Sequence, residues 1–237
     1  IKAILFDLDG TLLPMDQDIF VKAYFSGIAA KLAPHGYEPK ALIDAIWAGT
    51  MEMIKNDGKI TNEEAFWNCF TSLYGKQALA DMPLFEEFYK ENFDAVKEVC
   101  DYNPLSTKTV KQLKELGIRV ALATNPIFPS IATEKRIAWA GLTPDDFELF
   151  TTYENSKFCK PNLCYYKELL KQLNVEPKEC LMVGNDVGDD MVAEELGMQV
   201  FLLTDCLINK TDKDISVYNN GSFNELLQFI DNSMEEK

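Results

Sequence analysis

The segment of residues 3–13 constrains the fold of this chain more than any other part of the sequence. Its short apolar run ends abruptly in two acids, Asp7 and Asp9, which are followed by Gly10 and Thr11. A run of this kind before a turn signal predicts a β-strand that is buried on both faces. Because alternate side chains of a strand share a face, both carboxylates project at its carboxyl end. Open α/β sheets bind ligands at that end, and a bound cation would relieve the repulsion between the two acids.

The second half of the chain alternates between helical patterns and short apolar runs. Residues 118–124, 180–184 and 198–203 have the composition of buried strands, and amphipathic helical patterns separate them. Such βα units predict an α/β fold with a parallel sheet that is covered by helices on both faces. The first strand belongs to the same sheet, because it could not bury both of its faces alone.

Residues 17–100 have a different character, with one helical pattern after another and many aromatic side chains. Thr61 to Glu64 form a capping box that opens one of these helices. We therefore expect a helical bundle with its own core at 17–100, inserted into an α/β domain made of 1–16 and 101–237. An insertion that leaves from the edge carrying the acids is placed to act as a lid. Phe20 and Tyr24 either line a substrate pocket there or pack inside the insertion, and their helical spacing favours packing.

Three further stretches place polar residues at strand ends or helix starts. Each has an ordinary explanation, since Thr-Asn before proline favours a turn, most lysines are solvated, and Asn or Asp caps helices. Their order along the chain after the first acidic pair indicates a common site more strongly than any one of these stretches does alone. The residues concerned are Thr124 and Asn125, then Lys160 before a proline, then Asn185, Asp186, Asp189 and Asp190.

With these residues in order, the chain resembles the haloacid dehalogenase-like superfamily of hydrolases. The resemblance covers essentially the whole length, and its most specific part is the motif Asp7-Leu8-Asp9-Gly10-Thr11. Residues 17–100 match the helical cap of the phosphoglycolate-phosphatase-like branch. The resemblance implies a Rossmann-like core with an inserted α-helical cap, dependence on Mg²⁺, and an aspartyl-phosphate intermediate. The implied reaction is the hydrolysis of a small phosphorylated metabolite.

The resemblance also implies a role for each matching residue. Asp7 would be the nucleophile and a metal ligand, which splits hydrolysis into two easier steps. Asp9 would exchange a proton with the leaving group and then with water, while its backbone carbonyl binds the metal. The remaining family positions would bind the phosphoryl group and compensate its charge; they are Gly10, Thr11, Thr124, Asn125 and Lys160.

The last polar stretch departs from the commonest family pattern. The residue after the glycine is Asn185 here, where the family usually has an aspartate. An amide oxygen can bind Mg²⁺ but brings no charge, so we expect Asp186 to be the principal acidic ligand. Asn185 would bind the metal directly or through water, and Asp190 would lie behind the ligands. Asp189 is the weaker candidate.

Several alternatives can be weighed at this stage. Carbon–halogen hydrolysis needs one aspartate and no metal, so Asp9 and the Asp186 cluster disfavour it. Phosphonate hydrolysis normally requires a lysine from the cap, and neither Lys22, Lys31 nor Lys55 can be assigned to the site from the sequence. A phosphomutase shares the whole core and stays open. A catalytically impaired binding or regulatory module also stays open because of Asn185.

Composition and charge argue against several other kinds of partner and site. A formal net charge of −15 argues against binding to nucleic acid or to anionic membranes. The six cysteines form no C-x-x-C pair and His35 is the sole histidine, which makes a structural zinc site improbable. We expect most cysteines to be small core residues and His35 to be a solvated loop residue. The lack of an apolar leader or a long apolar span predicts a cytoplasmic, reduced protein.

Overall fold

A parallel β-sheet lies at the centre of the computed structural model, which describes residues 1–235. The order of the strands is β2-β1-β3-β4-β5, and every neighbouring pair is parallel. The prediction of an α/β fold is confirmed. The strands are β1 (Ala3–Phe6), β2 (Arg119–Leu122), β3 (Cys180–Gly184), β4 (Gln199–Leu203) and β5 (Asn219–Gly221).

Helices make up most of the remaining secondary structure. Thr61 forms the predicted capping box with Glu64 at the start of one helix, and at the start of another the Asn103 side chain accepts a hydrogen bond from Leu105 N–H. Within residues 1–235 the α-helices are α1 (Gln17–Leu32), α2 (Pro39–Ile54), α3 (Asn62–Tyr74), α4 (Met82–Glu87), α5 (Pro104–Glu115), α6 (Ser130–Trp139), α7 (Leu163–Leu173) and α8 (Phe223–Glu235).

The register of the three strands around β1 fixes where the functional loops meet. Phe6 is level with Leu122 of β2 and with Val183 of β3. The pairing continues one step further, because Asp7 N–H donates to the Val183 carbonyl at 2.9 Å and Ala123 N–H donates to the Phe6 carbonyl at 2.7 Å. The residues that follow β1, β2 and β3 therefore emerge side by side at one edge of the sheet.

The helical segment between β1 and α5 leaves and re-enters the fold along two adjacent connections. Met15 pairs with Cys100 in an antiparallel bridge, and Asp101 N–H donates to the Pro14 carbonyl at 2.9 Å. These contacts hold the two ends of the helical segment side by side.

A buried amide at the start of α3 joins this insertion to the core. Asn62 donates to the Pro126 carbonyl at 3.1 Å and accepts from the Asn56 side chain at 2.9 Å. Asn62 is fully buried, so these hydrogen bonds satisfy polar groups that water does not reach.

The helical segment of residues 17–100 does not have the separate hydrophobic core that its sequence suggests. A single cluster of buried side chains continues from the sheet, through Phe6, into the helices of residues 17–99. Phe93 is central to this continuity, with its ring 6.4 Å from that of Phe20 and 5.0 Å from that of Trp139 on α6. Phe20 and Tyr24 both belong to the cluster, as their spacing predicted, and each also lines a cavity of the fold.

Two local expectations need correction. The helix expected between the acidic cluster and Gly197 is a short 3₁₀ helix, Met191–Leu196, because turns occupy the residues before it. Cys159 and Cys180 are buried, but the other four cysteines are only partly buried. His35 is exposed, as expected. Within the described part of the chain, no helix is both long enough and apolar enough to cross a membrane.

Candidate active site

Lys160 connects two of the carboxylates that the sequence assigned to the site. Its ammonium donates to Asp7 Oδ1 at 2.8 Å and to Asp190 Oδ1 at 2.6 Å. Lys160 is 2% exposed and Asp190 is 1% exposed, so this arrangement is shielded from water. Asp7 follows β1, Lys160 precedes α7, and Asp190 follows β3, so three separate segments meet at one ammonium group.

Burial and neighbouring charges shift the pKa values of Lys160 and Asp190 in opposite directions. Burial lowers the pKa of Lys160, but the Asp190 and Asp7 carboxylates more than offset it and hold that pKa well above its usual range. Burial raises the pKa of Asp190, and the Lys160 ammonium opposes that rise. Lys160 is therefore held as a cation beside Asp7.

The turn after β1 brings Thr11 and Asn185 together beside Asp7. The Thr11 hydroxyl is 2.9 Å from Asn185 Oδ1 and 3.3 Å from Asp7 Oδ2. Gly10 has φ +84°, and a Cβ at this position would lie 2.3 Å from Asn185 Nδ2. The close approach of Asn185 therefore requires glycine at position 10.

Asp9 has a partner that sequence reasoning missed. The fully buried guanidinium of Arg136, on α6, forms an ion pair with Asp9 Oδ2 and lies 4.4 Å from the centre of the Phe128 ring. Burial raises the pKa of Asp9, and Arg136 opposes that rise. Asp9 Oδ1 is buried without a hydrogen-bond partner among the described residues. One clue was present in the sequence, since Arg136 lies four residues after Ala132, on the inward face of its helix.

Thr124 and Asn125 follow β2 and complete the wall of the site. Thr124 is buried, and its carbonyl accepts hydrogen bonds from the Thr151 hydroxyl at 2.6 Å and the Tyr165 hydroxyl at 2.9 Å. The Asn125 side chain accepts from Lys160 N–H and donates to Asp189 Oδ2, both at 3.3 Å. The loop after β2 is therefore tied to the loops that carry Lys160 and Asp189.

The acidic loop after β3 is ordered by its own backbone. Asp186 Oδ1 accepts from Gly188 N–H at 2.7 Å and from Asp189 N–H at 3.0 Å, and Asp190 Oδ2 accepts from Asp186 N–H at 2.9 Å. A Cβ on Gly184 would lie 2.1 Å from Asp190 Oδ2, so glycine is needed for this turn.

The site residues predicted from the sequence, other than Gly10 and Thr11, all line one small pocket of about 110 Å³. Its described lining contains five carboxylates and one ammonium group; none of Lys22, Lys31 and Lys55 contributes to it. An excess of carboxylate oxygens, with the amide oxygen of Asn185 beside them, suits a hard cation such as Mg²⁺. Among the described residues, no group of three or more His, Cys, Asp or Glu side chains is spaced to hold a metal by itself. A cation here therefore depends on Asn185, backbone carbonyl or substrate oxygens as well.

A protein-family model identifies the chain. Residues 1–197 match the model described as haloacid dehalogenase-like hydrolase. The chain belongs to this family. The family assignment drawn from the sequence is confirmed, together with its phosphoglycolate-phosphatase-like branch, and the protein is a hydrolase.

Individual relatives within the family are distant. The chain is 27% identical over 207 residues to a phosphoglycolate phosphatase of Vibrio vulnificus strain CMCP6, covering 86% of this chain and 84% of the relative. It is 28% identical over 210 residues to a glyceraldehyde 3-phosphate phosphatase of Pyrococcus abyssi, covering 84% and 79%. The fold is similar to that of a crystallised phosphatase of the same family from Thermococcus onnurineus. That match has a TM-score of 0.60 and 20% identity, over 97% and 98% of the two chains.

Proposed function

We propose that this protein is a Mg²⁺-dependent phosphatase that hydrolyses a phosphoric monoester through a phosphorylated Asp7. The observation that carries the proposal is the different partner of each acid in the first motif. Asp7 and Asp9 are two residues apart, yet Lys160 pairs with Asp7 and Arg136 pairs with Asp9. Family membership and the phosphatase relatives support the same reaction class.

In the first step, the Asp7 carboxylate attacks phosphorus and the bond between phosphorus and the alcohol oxygen breaks. Lys160 holds the attacking carboxylate through Oδ1 and reduces its repulsion with the phosphoryl oxygens. Asp190 keeps the ammonium in place from the other side. The chain thus presents a positioned nucleophile next to a fixed positive charge.

Asp9 gives a proton to the departing alcohol oxygen and then takes one from the water that attacks phosphorus. The second attack breaks the bond between Asp7 and phosphorus and releases inorganic phosphate. Arg136 holds Asp9 through Oδ2, while Oδ1 has no other partner among the described residues and can exchange the proton.

The phosphoryl group is bound by Thr124 and the Asn125 backbone in this proposal. Asp7, Asp186 and Asn185, with the Asp9 carbonyl, would hold Mg²⁺, and Asp190 would act through Lys160. When bound, Mg²⁺ supplies positive charge against the phosphoryl oxygens. Thr11 keeps the Asn185 amide and the Asp7 carboxylate together.

We further propose that residues 17–100 form a cap over this site. Met15, Gln17, Phe20 and Val21 line the catalytic pocket directly, which places the start of the insertion against the reacting groups. Substrate selection would then depend on side chains that the insertion contributes.

The proposal is tested by phosphate release from a panel of monoesters with and without Mg²⁺. We expect release by the wild-type chain, loss of at least about 100-fold in Asp7→Asn, and loss on metal chelation. Asp44→Asn is a matched control, because Asp44 is exposed on α2 and pairs only with a surface lysine among its described contacts. Turnover that survives chelation or Asp7→Asn would contradict the mechanism, and phosphoryl transfer to a second sugar phosphate would favour a phosphomutase.

A further inference from the structure

A second, larger cavity adjoins the catalytic pocket. It has a volume of about 450 Å³ and lies between the helical insertion and the loop after β2. Three residues line both spaces, namely Val21 on α1 together with Ile127 and Phe128. The two spaces therefore meet at these three residues, where a group attached to a phosphate in the small pocket would enter the larger one.

The walls of this cavity are mostly apolar, and many of the lining residues are aromatic. Tyr24, Phe25, Trp47, Trp67 and Phe128 all contribute rings. The Phe25 and Trp47 rings are 5.3 Å apart, and Trp47 is 45% exposed even though its ring is large and apolar. Two tyrosine hydroxyls in the wall satisfy each other, since those of Tyr24 and Tyr89 are 2.9 Å apart. The wall therefore presents a large apolar surface.

Most of the charged groups at this cavity are negative. Its described lining includes four glutamates, Glu63, Glu86, Glu134 and Glu154, and a single lysine, Lys90. That lysine is paired with Glu86 at 3.3 Å. Burial and the neighbouring carboxylates Glu154, Glu64 and Glu86 raise the pKa of Glu63. A second anionic group on the substrate would meet repulsion here and no available cation.

We propose that this cavity binds the alcohol portion of the substrate, and that the substrate is a monoester of an uncharged, largely apolar alcohol with an aromatic or extended aliphatic group. This inference rests on the phosphatase function proposed above. It distinguishes the chain from a phosphatase for short acidic esters such as phosphoglycolate, whose carboxylate has no partner in this lining. It also disfavours a phosphomutase, because the second phosphate of a sugar bisphosphate would meet the glutamates of this lining.

Binding and hydrolysis can be tested separately. The binding experiment measures the affinity of the full chain with Mg²⁺ for 3-phenylpropylphosphonate and for propylphosphonate, which differ only in the aromatic group and are not hydrolysed. We expect the phenyl compound to bind about 30-fold more tightly, because burial of an aromatic ring stabilises a complex to that extent. Equal affinities would overturn the inference, whatever the catalytic result.

The hydrolysis experiment compares kcat/KM for 3-phenylpropyl phosphate, propyl phosphate, phosphoglycolate and phosphocholine. We expect the phenyl ester to exceed propyl phosphate by about 30-fold, since their leaving alcohols have similar basicity. A preference for phosphoglycolate or phosphocholine would overturn the inference, the latter by indicating a cationic alcohol. If the phenylphosphonate binds more tightly but no ester is hydrolysed, the cavity assignment stands and the proposed phosphatase function fails.

Two substitutions locate the effect in the cavity. Val21→Phe narrows the passage between the two spaces, and Trp47→Ala removes a partly exposed wall ring whose loss the fold should tolerate. We expect each to lower the ratio of kcat/KM for the phenyl ester over the propyl ester by about tenfold. Val217→Phe is the matched control, since Val217 is 61% exposed and lies outside both linings. An unchanged ratio in both cavity variants would contradict the assignment.

Discussion

The buried ion pair between Arg136 and Asp9 gives the sharpest expectation for a single substitution. Methionine at position 136 keeps an unbranched chain but leaves the Asp9 carboxylate without its guanidinium partner. Removing one partner of a buried ion pair costs about 3–5 kcal/mol, because the remaining charge is uncompensated. One fifth of the Asp9 side chain is exposed, so we expect Arg136→Met to lower the free energy of unfolding by about 3 kcal/mol.

A double-mutant cycle isolates this pair from the other contacts of Arg136. The guanidinium also donates to the Ala132 carbonyl at 3.2 Å and to the Thr133 hydroxyl at 3.3 Å, and these bonds are lost in both variants that lack Arg136. Combining Arg136→Met with Asp9→Asn removes both charges. The double variant should therefore lose less free energy of unfolding than the sum of the two single losses, by about 2 kcal/mol.

Urea unfolding of the four proteins measures the coupling, and Arg119→Met serves as the control. Arg119 pairs with Glu148 at the surface, so its loss should cost less than about 1 kcal/mol. Single losses that add to within about 0.5 kcal/mol would refute the coupling. Since Arg136 also fixes the carboxylate of Asp9, which we propose to be catalytic, we expect kcat of Arg136→Met to fall about 100-fold, as displacements of a catalytic group by about 1 Å do.

Three other substitutions test separate parts of the structure. Gly184→Ala places a methyl group 2.1 Å from Asp190 Oδ2, so we expect kcat to fall about 100-fold, and an unchanged kcat would show that this turn does not position the site. Asn62→Ala removes the buried amide between insertion and core, so the free energy of unfolding should fall by about 1–3 kcal/mol in urea; a smaller loss would contradict its bridging role. Burial raises the pKa of Asp94, but hydrogen bonds from Lys135 and Trp139 lower it below its ordinary value of 3.8 overall. The wild-type chain should therefore have a higher free energy of unfolding than Asp94→Asn, by under about 1 kcal/mol because the group is exposed. This difference should be complete above pH 3.8 and should vanish as the pH falls through the lowered pKa. A difference that grows on acidification would contradict the direction of the pKa shift.

The parts of the structure that sequence could predict are those in which local pattern and tertiary role agree. The sequence predicts the strand Cys180–Gly184 with the same bounds as the structure, because a continuous apolar run favours a strand that is buried on both faces. Asp7, Asp9, Thr124, Lys160 and Asp186 were expected to converge, because parallel strands end at one edge of a sheet.

Features that depend on long-range packing were missed. Strand β5 has the sequence Asn-Asn-Gly, whose residues have low strand propensity, and it exists through its pairing with β4. The partner of Asp9 lies 127 residues away in Arg136, a separation that no local pattern encodes. The continuous cluster between sheet and insertion was missed for the same reason, since helical periodicity shows which face is apolar and not what covers it.

The most direct test of the proposed mechanism is the identity of the residue that becomes phosphorylated. The full chain would be mixed with Mg²⁺ and a slowly hydrolysed monoester, quenched in acid, digested, and mapped by mass spectrometry. We expect one phosphoryl group on the peptide that contains Asp7, and none on that peptide from Asp7→Asn. Turnover of the ester with no phosphoryl group on Asp7, or with the group on another residue, would contradict the mechanism.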